Sequence, residues 1–352
     1  MNDHSLAFLK RLLATPGPSG DEVAVGRIWR HEAETFADRV YADVRGSSYA
    51  VLEGGSPRVL LAGHIDEIGV MVSSIDDDGF LWFSPIGGWD PQVLVGQRVR
   101  LAGRAGDVIG VIGKKPIHQM KSDEREKASK IEDLWIDIGV TSRAEARELV
   151  RVGATGVIDA PIYDLPGGRI VSRSIDDRIG AFTVLEALRL LEHDRPHATV
   201  AAVATSQEEI TFAGAHTAAF SFEPQVAIAV DVTFATDHPN ADRRQYGNVR
   251  LGGGPVLSRG SANSPVVYDM LTAIAERQGI PYSIQVNPRY TGTDADAIHL
   301  SRGGVATAVI SIPNRYMHSP NEMIALSDVE YAARQIAAFV RSLMPETSFI
   351  PI

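Results

Sequence analysis

The sequence predicts an α/β fold: a mixed, mostly parallel sheet covered by helices, interrupted by a small all-β barrel. Three observations carry the prediction. From about residue 160 onward, apolar strands alternate with helical stripes, the pattern of a parallel sheet with helices on its faces. From about 68 to 160, short strands alternate with glycine turns, as in "GVMVSSIDDDGFLWF", "QRVRLAG", "GDVIGVIG" and "ATGVID", which reads as a small barrel or sandwich. The buried run "RVLLAG" (58–63) precedes the insertion and belongs with the later strand 198–206. The expected division is therefore 1–67 plus 161–352 for the α/β part and 68–160 for the insertion.

The elements follow in order. Leu6, Leu9 and Leu13, with Phe8 and Leu12, form a helical stripe over about 3–14 that stops at "TPGPSG". Ser19-Gly20-Asp21 caps a second helix over about 21–36. Within the insertion, the charged stretch 118–133 reads as a solvated loop. Beyond it, Ile179, Phe182, Leu185, Leu188 and Leu191 mark a helix over 177–192. Strand 198–206, a short helix after 211, strand 225–233 and helix 264–278 come next. Strand 282–287, helix 293–302, strand 305–313 and helix 327–343 complete the chain.

Composition narrows the function. With 34 basic and 44 acidic residues, the net charge of -10 disfavours nucleic-acid backbones and anionic lipid heads. There is no cysteine, which excludes disulfides, thiolate nucleophiles and cysteine-ligated zinc. No segment reaches the ~18 apolar residues of a membrane span, and the first residues lack a signal-peptide pattern. A cytoplasmic protein is expected.

Ligands of open α/β sheets bind beyond the carboxyl ends of the strands. The polar residues that end strands here are His64 and Asp66, Glu208 and Glu209, Asp231 and His318, while Asp176 and Asp177 precede a long helix. Singly, each has a plainer explanation: a helix cap for Asp177, a turn former for Asp231, a structural histidine for His64. Together, two histidines and several carboxylates on one rim are the donor set of a hydrolytic metal site for Zn, Co or Mn. In "TSQEEITFAG" (205–214) strand alternation would send the two adjacent glutamates to different sides.

The motifs "AGHIDEIG", "SRSIDDRIG", "SQEE", "VDVTFATDHP" and "SIPNRYMHSPNE", in this order, resemble those of the M42 family of metallo-aminopeptidases. "PGPSGDE" and "GTDADAIHLSRGG" agree with them, and the resemblance spans nearly the whole chain. It implies two divalent cations per chain, one on His64 and Asp231, the other on Glu209 and His318, with Asp176 bridging through a cis Asp176–Asp177 turn. Glu208 is then the general base, and Asp66 orients His64. It further implies short peptide substrates and dimers assembled through the insertion into a dodecamer. One departure concerns substrate contacts: where the family commonly shows Val-Gly followed by Arg-Gly-Ala, this chain reads Ile210-Thr211-Phe212-Ala213-Gly214-Ala215. The rivals are a glycoside hydrolase with paired carboxylates, which needs no histidine pair, and a non-catalytic assembly protein, which needs no Glu208.

Overall fold

The computed structural model describes residues 1–260 and 262–352, and of Asp123 and Glu124 the backbone alone. An eight-stranded sheet organises the α/β part. Its strands lie in the order Arg39–Ala42, Ser48–Leu52, Ala198–Thr205, Gly55–His64, Val226–Phe234, Ala306–Asn314, Val256–Arg259 and Ser283–Val286. The four central strands, from Ala198–Thr205 to Ala306–Asn314, are mutually parallel. Antiparallel pairing on either side makes the sheet mixed. Parallel register brings the carboxyl ends to one edge: Thr205 sits opposite His64, and Asp231 opposite Ser311.

Helices cover both faces, so the central strands read as continuous apolar runs without alternation; all eight residues of Ala198–Thr205 are buried. Val59 and Leu61 pack with the helices Asp3–Ala14, Val23–Ala33, Ile175–Leu190, Pro265–Gln278 and Leu326–Arg341. Their neighbours Leu60 and Ala62 pack with Ala213–Phe222 on the other face. Local signals set the helix ends. The Ser264 hydroxyl caps Pro265–Gln278, whose first position is proline and whose end is Gly279 at φ 62. Burial of Ile179, Phe182 and Leu185 anchors Ile175–Leu190, at roughly 1.5–3 kcal/mol per side chain.

The insertion is a closed six-stranded barrel, ordered Gly69–Ile75, Leu81–Ile86, Trp135–Asp137, Asp107–Gly113, Arg98–Ala102 and Thr155–Ile158. Its core holds Val72, Leu81, Phe83, Val99, Leu101, Ile112 and Ile136. Phe83 thus points inward, whereas Trp82, Met71, Ile109 and Val111 stay exposed on the outside. A three-stranded sheet of Tyr163–Leu165, Arg169–Ser172 and Glu322–Ala325 carries the chain back from the barrel.

Several expectations need correction. The hairpin Arg39–Ala42 with Ser48–Leu52 and the strand Val256–Arg259 have no counterpart in the sequence reading. The expected helix 293–302 is the single turn Ala295–Ile298, because Asp296 accepts backbone N–H groups of Thr291 and Gly292 and favours a loop there. The charged stretch 118–133 contains short helical turns at Ser122–Arg125 and Ile131–Asp133; the side chains of Asp123 and Glu124 within it lie outside the described residues. Among the described residues, no helix is long and apolar enough to cross a membrane.

Candidate metal centre

Close backbone contact builds the floor of the site. A Cβ on Gly63 would lie 2.3 Å from the Gly180 carbonyl carbon, so glycine lets the helix Ile175–Leu190 settle onto the end of the His64 strand. Ser174 precedes that helix at φ 58; at the helix start Asp176 and Asp177 depart from helical angles, and the peptide bond between them is cis, as the resemblance implies. The fully buried Asp177 is committed to the backbone: Oδ2 accepts the His64 N–H at 3.2 Å and Oδ1 the Gly180 N–H at 3.0 Å. Asp176 instead faces the imidazoles. Its Oδ1 is 3.1 Å from His64 Nε2, and its Oδ2 is 3.3 Å from His318 Nε2.

Glu208 and Glu209 do not end a strand. The strand stops at Thr205, Gln207 turns through a left-handed φ of 59, and Glu208–Thr211 forms one helical turn. Successive residues on a helix point about 100° apart, and this separates the two carboxylates where strand alternation was expected to do so. Glu208 Oε2 lies 3.7 Å from His64 Nε2, and Glu209 Oε2 lies 3.5 Å from His318 Nε2. The turn is held from outside. Asp66 accepts the N–H of Glu208 at 3.1 Å and of Glu209 at 3.3 Å, as a carboxylate does at a helix start. Asp66 also sits 3.4 Å from His64 Nδ1 and accepts the Ser19 hydroxyl at 2.5 Å. Glu22 accepts the Gln207 N–H at 3.2 Å.

Asp231 falls within its strand, which continues to Phe234. His318 follows the strand Ala306–Asn314 in a loop, at φ 58. One buried carboxylate, Glu322, ties that loop to the acidic turn by accepting the N–H groups of Asp176 and His318, each at 3.0 Å. Around the mouth, a cavity of about 410 Å³ is lined by His64, Asp176, Glu208, Glu209, Asp231 and His318, and by the neutral Phe212, Phe234, Thr291 and Met317.

Charge in this pocket is finely opposed. Burial pushes Glu208 and Asp231 well above the usual carboxylate range and Glu209 to about 8. Burial also works against charge on Asp176, yet His318 and His64 outweigh it and keep its pKa low. The hydrogen bond to Asp176 raises His318 to about 9. Two nearby guanidiniums offer no relief, because Glu67 binds both Arg173 and the fully buried Arg178. Glu209 Oε1 is buried without a hydrogen-bond partner. Among the described residues, His64, Asp176 and Glu209 offer ligand atoms within 4.8 Å of one another, as do His64, Asp177 and Asp231. Imidazoles, uncompensated carboxylates and an orphaned buried oxygen form a donor set that fits divalent cations.

Sequence reading missed the supporting residues Glu22, Glu67 and Glu322. All three lie inside motifs already noted, Glu22 in "PGPSGDE", Glu67 in "AGHIDEIG" and Glu322 in "SIPNRYMHSPNE", so a signal was present; their roles arise from contacts distant in sequence.

Comparison with known proteins agrees with this architecture. The family model for M42 glutamyl aminopeptidase matches residues 46–334. A lysyl aminopeptidase of Pyrococcus furiosus is 37% identical over 96% of this chain and 97% of its own. A TET aminopeptidase of a marine sediment archaeon of the Thaumarchaeota superposes with a TM-score of 0.93, at 36% identity and 97% coverage of both chains. The TET1 peptidase of Pyrococcus horikoshii, described as assembling into a tetrahedron or a large octahedral shell, superposes with a TM-score of 0.86 at 32% identity, covering 96% of this chain and 100% of its own.

Proposed function

Because the chain belongs to the M42 glutamyl aminopeptidase family and is a metallo-aminopeptidase, we propose that it removes single N-terminal residues from short peptides with two divalent cations. His64 and Asp231 would hold one cation and Glu209 and His318 the other, with Asp176 serving both. The observation that carries this reading is the Asp176 carboxylate, which gives one oxygen to each imidazole while Asp177 is occupied by backbone N–H groups. The donors suit zinc, with cobalt or manganese as alternatives.

The cations supply Lewis acidity, which makes water a competent nucleophile near neutral pH. To act as ligands, His64 and His318 give up their Nε2 protons. Glu208 takes a proton from the attacking water as the new C–O bond forms at the scissile carbonyl. It then delivers that proton to the departing amine as the C–N bond breaks. Asp66 keeps the Glu208 turn and His64 in register. The carboxylate-rich cavity favours a free α-ammonium group on the substrate. Two imidazoles facing one carboxylate have no role in sugar cleavage, which counts against the glycosidase alternative.

Residues 1–67 and 161–352 form the catalytic domain in this reading, and 68–160 the assembly domain. Exposed Trp82, Met71, Ile109 and Val111 on the barrel support self-association, and the assembly described for the Pyrococcus horikoshii relative suggests a closed shell such as a dodecamer. Light scattering that finds only monomer at micromolar concentration would exclude assembly. The activity is tested by mass spectrometry of a short peptide. A ladder of products shortened one residue at a time from the N-terminus is expected. Internal cuts, or equal cleavage of an N-acetylated peptide, overturn the assignment.

A further inference from the structure

One barrel loop reaches the metal centre. After the strand Leu81–Ile86 the chain passes through Gly87-Gly88-Trp89, and the Gly88 carbonyl accepts a hydrogen bond from His318 Nδ1 at 2.8 Å. A carbonyl only accepts, so Nδ1 carries a proton and Nε2 is the nitrogen turned toward Asp176 and Glu209, free to offer its lone pair to a cation once its own proton leaves. His318 depends on this contact more than its counterpart would: its side chain is 36% exposed, against 2% for His64, so packing alone does not hold the ring.

The loop fits the site closely. A Cβ on Gly88 would lie 3.3 Å from His318 Nδ1. A Cβ on Gly87, at φ 74, would lie 2.5 Å from the Ile68 side chain and 3.4 Å from Glu209 Oε2. Two consecutive glycines therefore pass beside the two residues assigned to a single cation. The next residue pins the loop to the barrel: Trp89 Nε1 donates to the Gly69 carbonyl at 2.8 Å, and its ring packs on the barrel core. Ile68, Trp89 and Ile158 face Asp176, Glu209 and His318 across a narrow cleft.

We infer that the Gly87–Trp89 loop positions the cation site of Glu209 and His318, with the Gly88 carbonyl orienting the His318 ring for metal binding. The inference rests on the metal assignment proposed above. It makes the two cations unequal. The site of His64 and Asp231 stands on the central strands of the sheet, whereas the other takes the orientation of its histidine from the barrel. Loss of such an outer hydrogen bond typically weakens metal affinity 10–100-fold.

The test strips cations from the full-length chain and titrates it with Co(II), reading stoichiometry and affinity by calorimetry and visible absorbance. The wild type is expected to take up two cations. Gly88→Ala, which crowds His318, is expected to keep one at wild-type affinity and to bind the second about 10–100-fold more weakly. Trp89→Phe keeps the aromatic packing but removes the tie to Gly69, and it is expected to shift the same site in the same direction by less. If Gly88→Ala fails to fold, as judged by circular dichroism, Trp89→Phe decides. Unchanged binding of both cations in the folded variants overturns the inference alone; a wild type that does not bind two cations overturns the metal assignment beneath it.

Discussion

Replacing Asp66 by asparagine should slow the enzyme steeply while leaving its shape intact. The wild-type carboxylate, fully buried, accepts the N–H of Glu208 on one oxygen, and the N–H of Glu209 with the Ser19 hydroxyl on the other. Asparagine has a single acceptor oxygen. If that oxygen stays on the Glu208 N–H, the amide nitrogen confronts the Glu209 N–H, donor against donor. An unpaired buried N–H costs about 1–3 kcal/mol, and the surviving bond loses its charge assistance, about half its strength. Together these remove roughly 2–4 kcal/mol from the placement of the turn. At about 1.36 kcal/mol per tenfold, kcat/KM should fall roughly 30- to 1000-fold. Ser19→Ala provides the comparison, since it deletes one hydrogen bond but keeps the charge and both N–H contacts; its loss should stay under about tenfold. Hydrolysis of an aminoacyl-p-nitroanilide measures both variants. Asp66→Asn within threefold of wild type, or Ser19→Ala as damaging as Asp66→Asn, would refute the reasoning.

The neighbouring glutamates should fail differently: Glu208→Gln should keep near-full metal content while turnover drops about 10²–10⁴-fold, whereas Glu209→Gln should lose a cation and recover in part when metal is added. Metal analysis beside steady-state rates decides, and the opposite pattern means the two roles are reversed. Glu22 carries a pH signature, because burial, then Asp66, raises its pKa from 4.5 to about 7 despite hydrogen bonds from Gly20 and Gln207. A raised carboxyl pKa means the folded state holds the extra proton, so stability is fullest below 4.5 and declines as pH rises through about 7. Glu22→Gln, whose amide oxygen can accept both N–H groups, should match wild type at pH 4 and exceed it by up to about 3 kcal/mol at pH 8. Denaturant titration at the two pH values checks this, and a gap that shrinks with rising pH would count against it.

The central strands were legible because burial on both faces writes them as unbroken apolar runs, and the barrel because its strands are punctuated by glycine. The hairpin of Arg39–Ala42 and Ser48–Leu52 escaped notice because its edge strand is short and half-exposed, with no clear period. Val256–Arg259 is four residues long, too few for any period to register. The site was legible in its residue types and illegible in its geometry. Nothing local in "TSQEE" announces that Gln207 takes a positive φ, since non-glycine residues rarely do. The turn exists because Glu22 and Asp66, remote in sequence, accept three successive N–H groups from Gln207 to Glu209. The role of Gly88 was equally hidden, because it depends on a barrel carbonyl meeting a histidine 230 residues away.

Glu67, clasped by Arg173 and Arg178, acts as a decoy anion. Backbone carbonyls complete the hold, those of Leu12, Thr15 and Ile65 on Arg178 and that of Ala14 on Arg173. With the donors of both guanidiniums engaged there, the carboxylate cluster keeps its demand for positive charge. The balance of that charge is left to come from outside the chain.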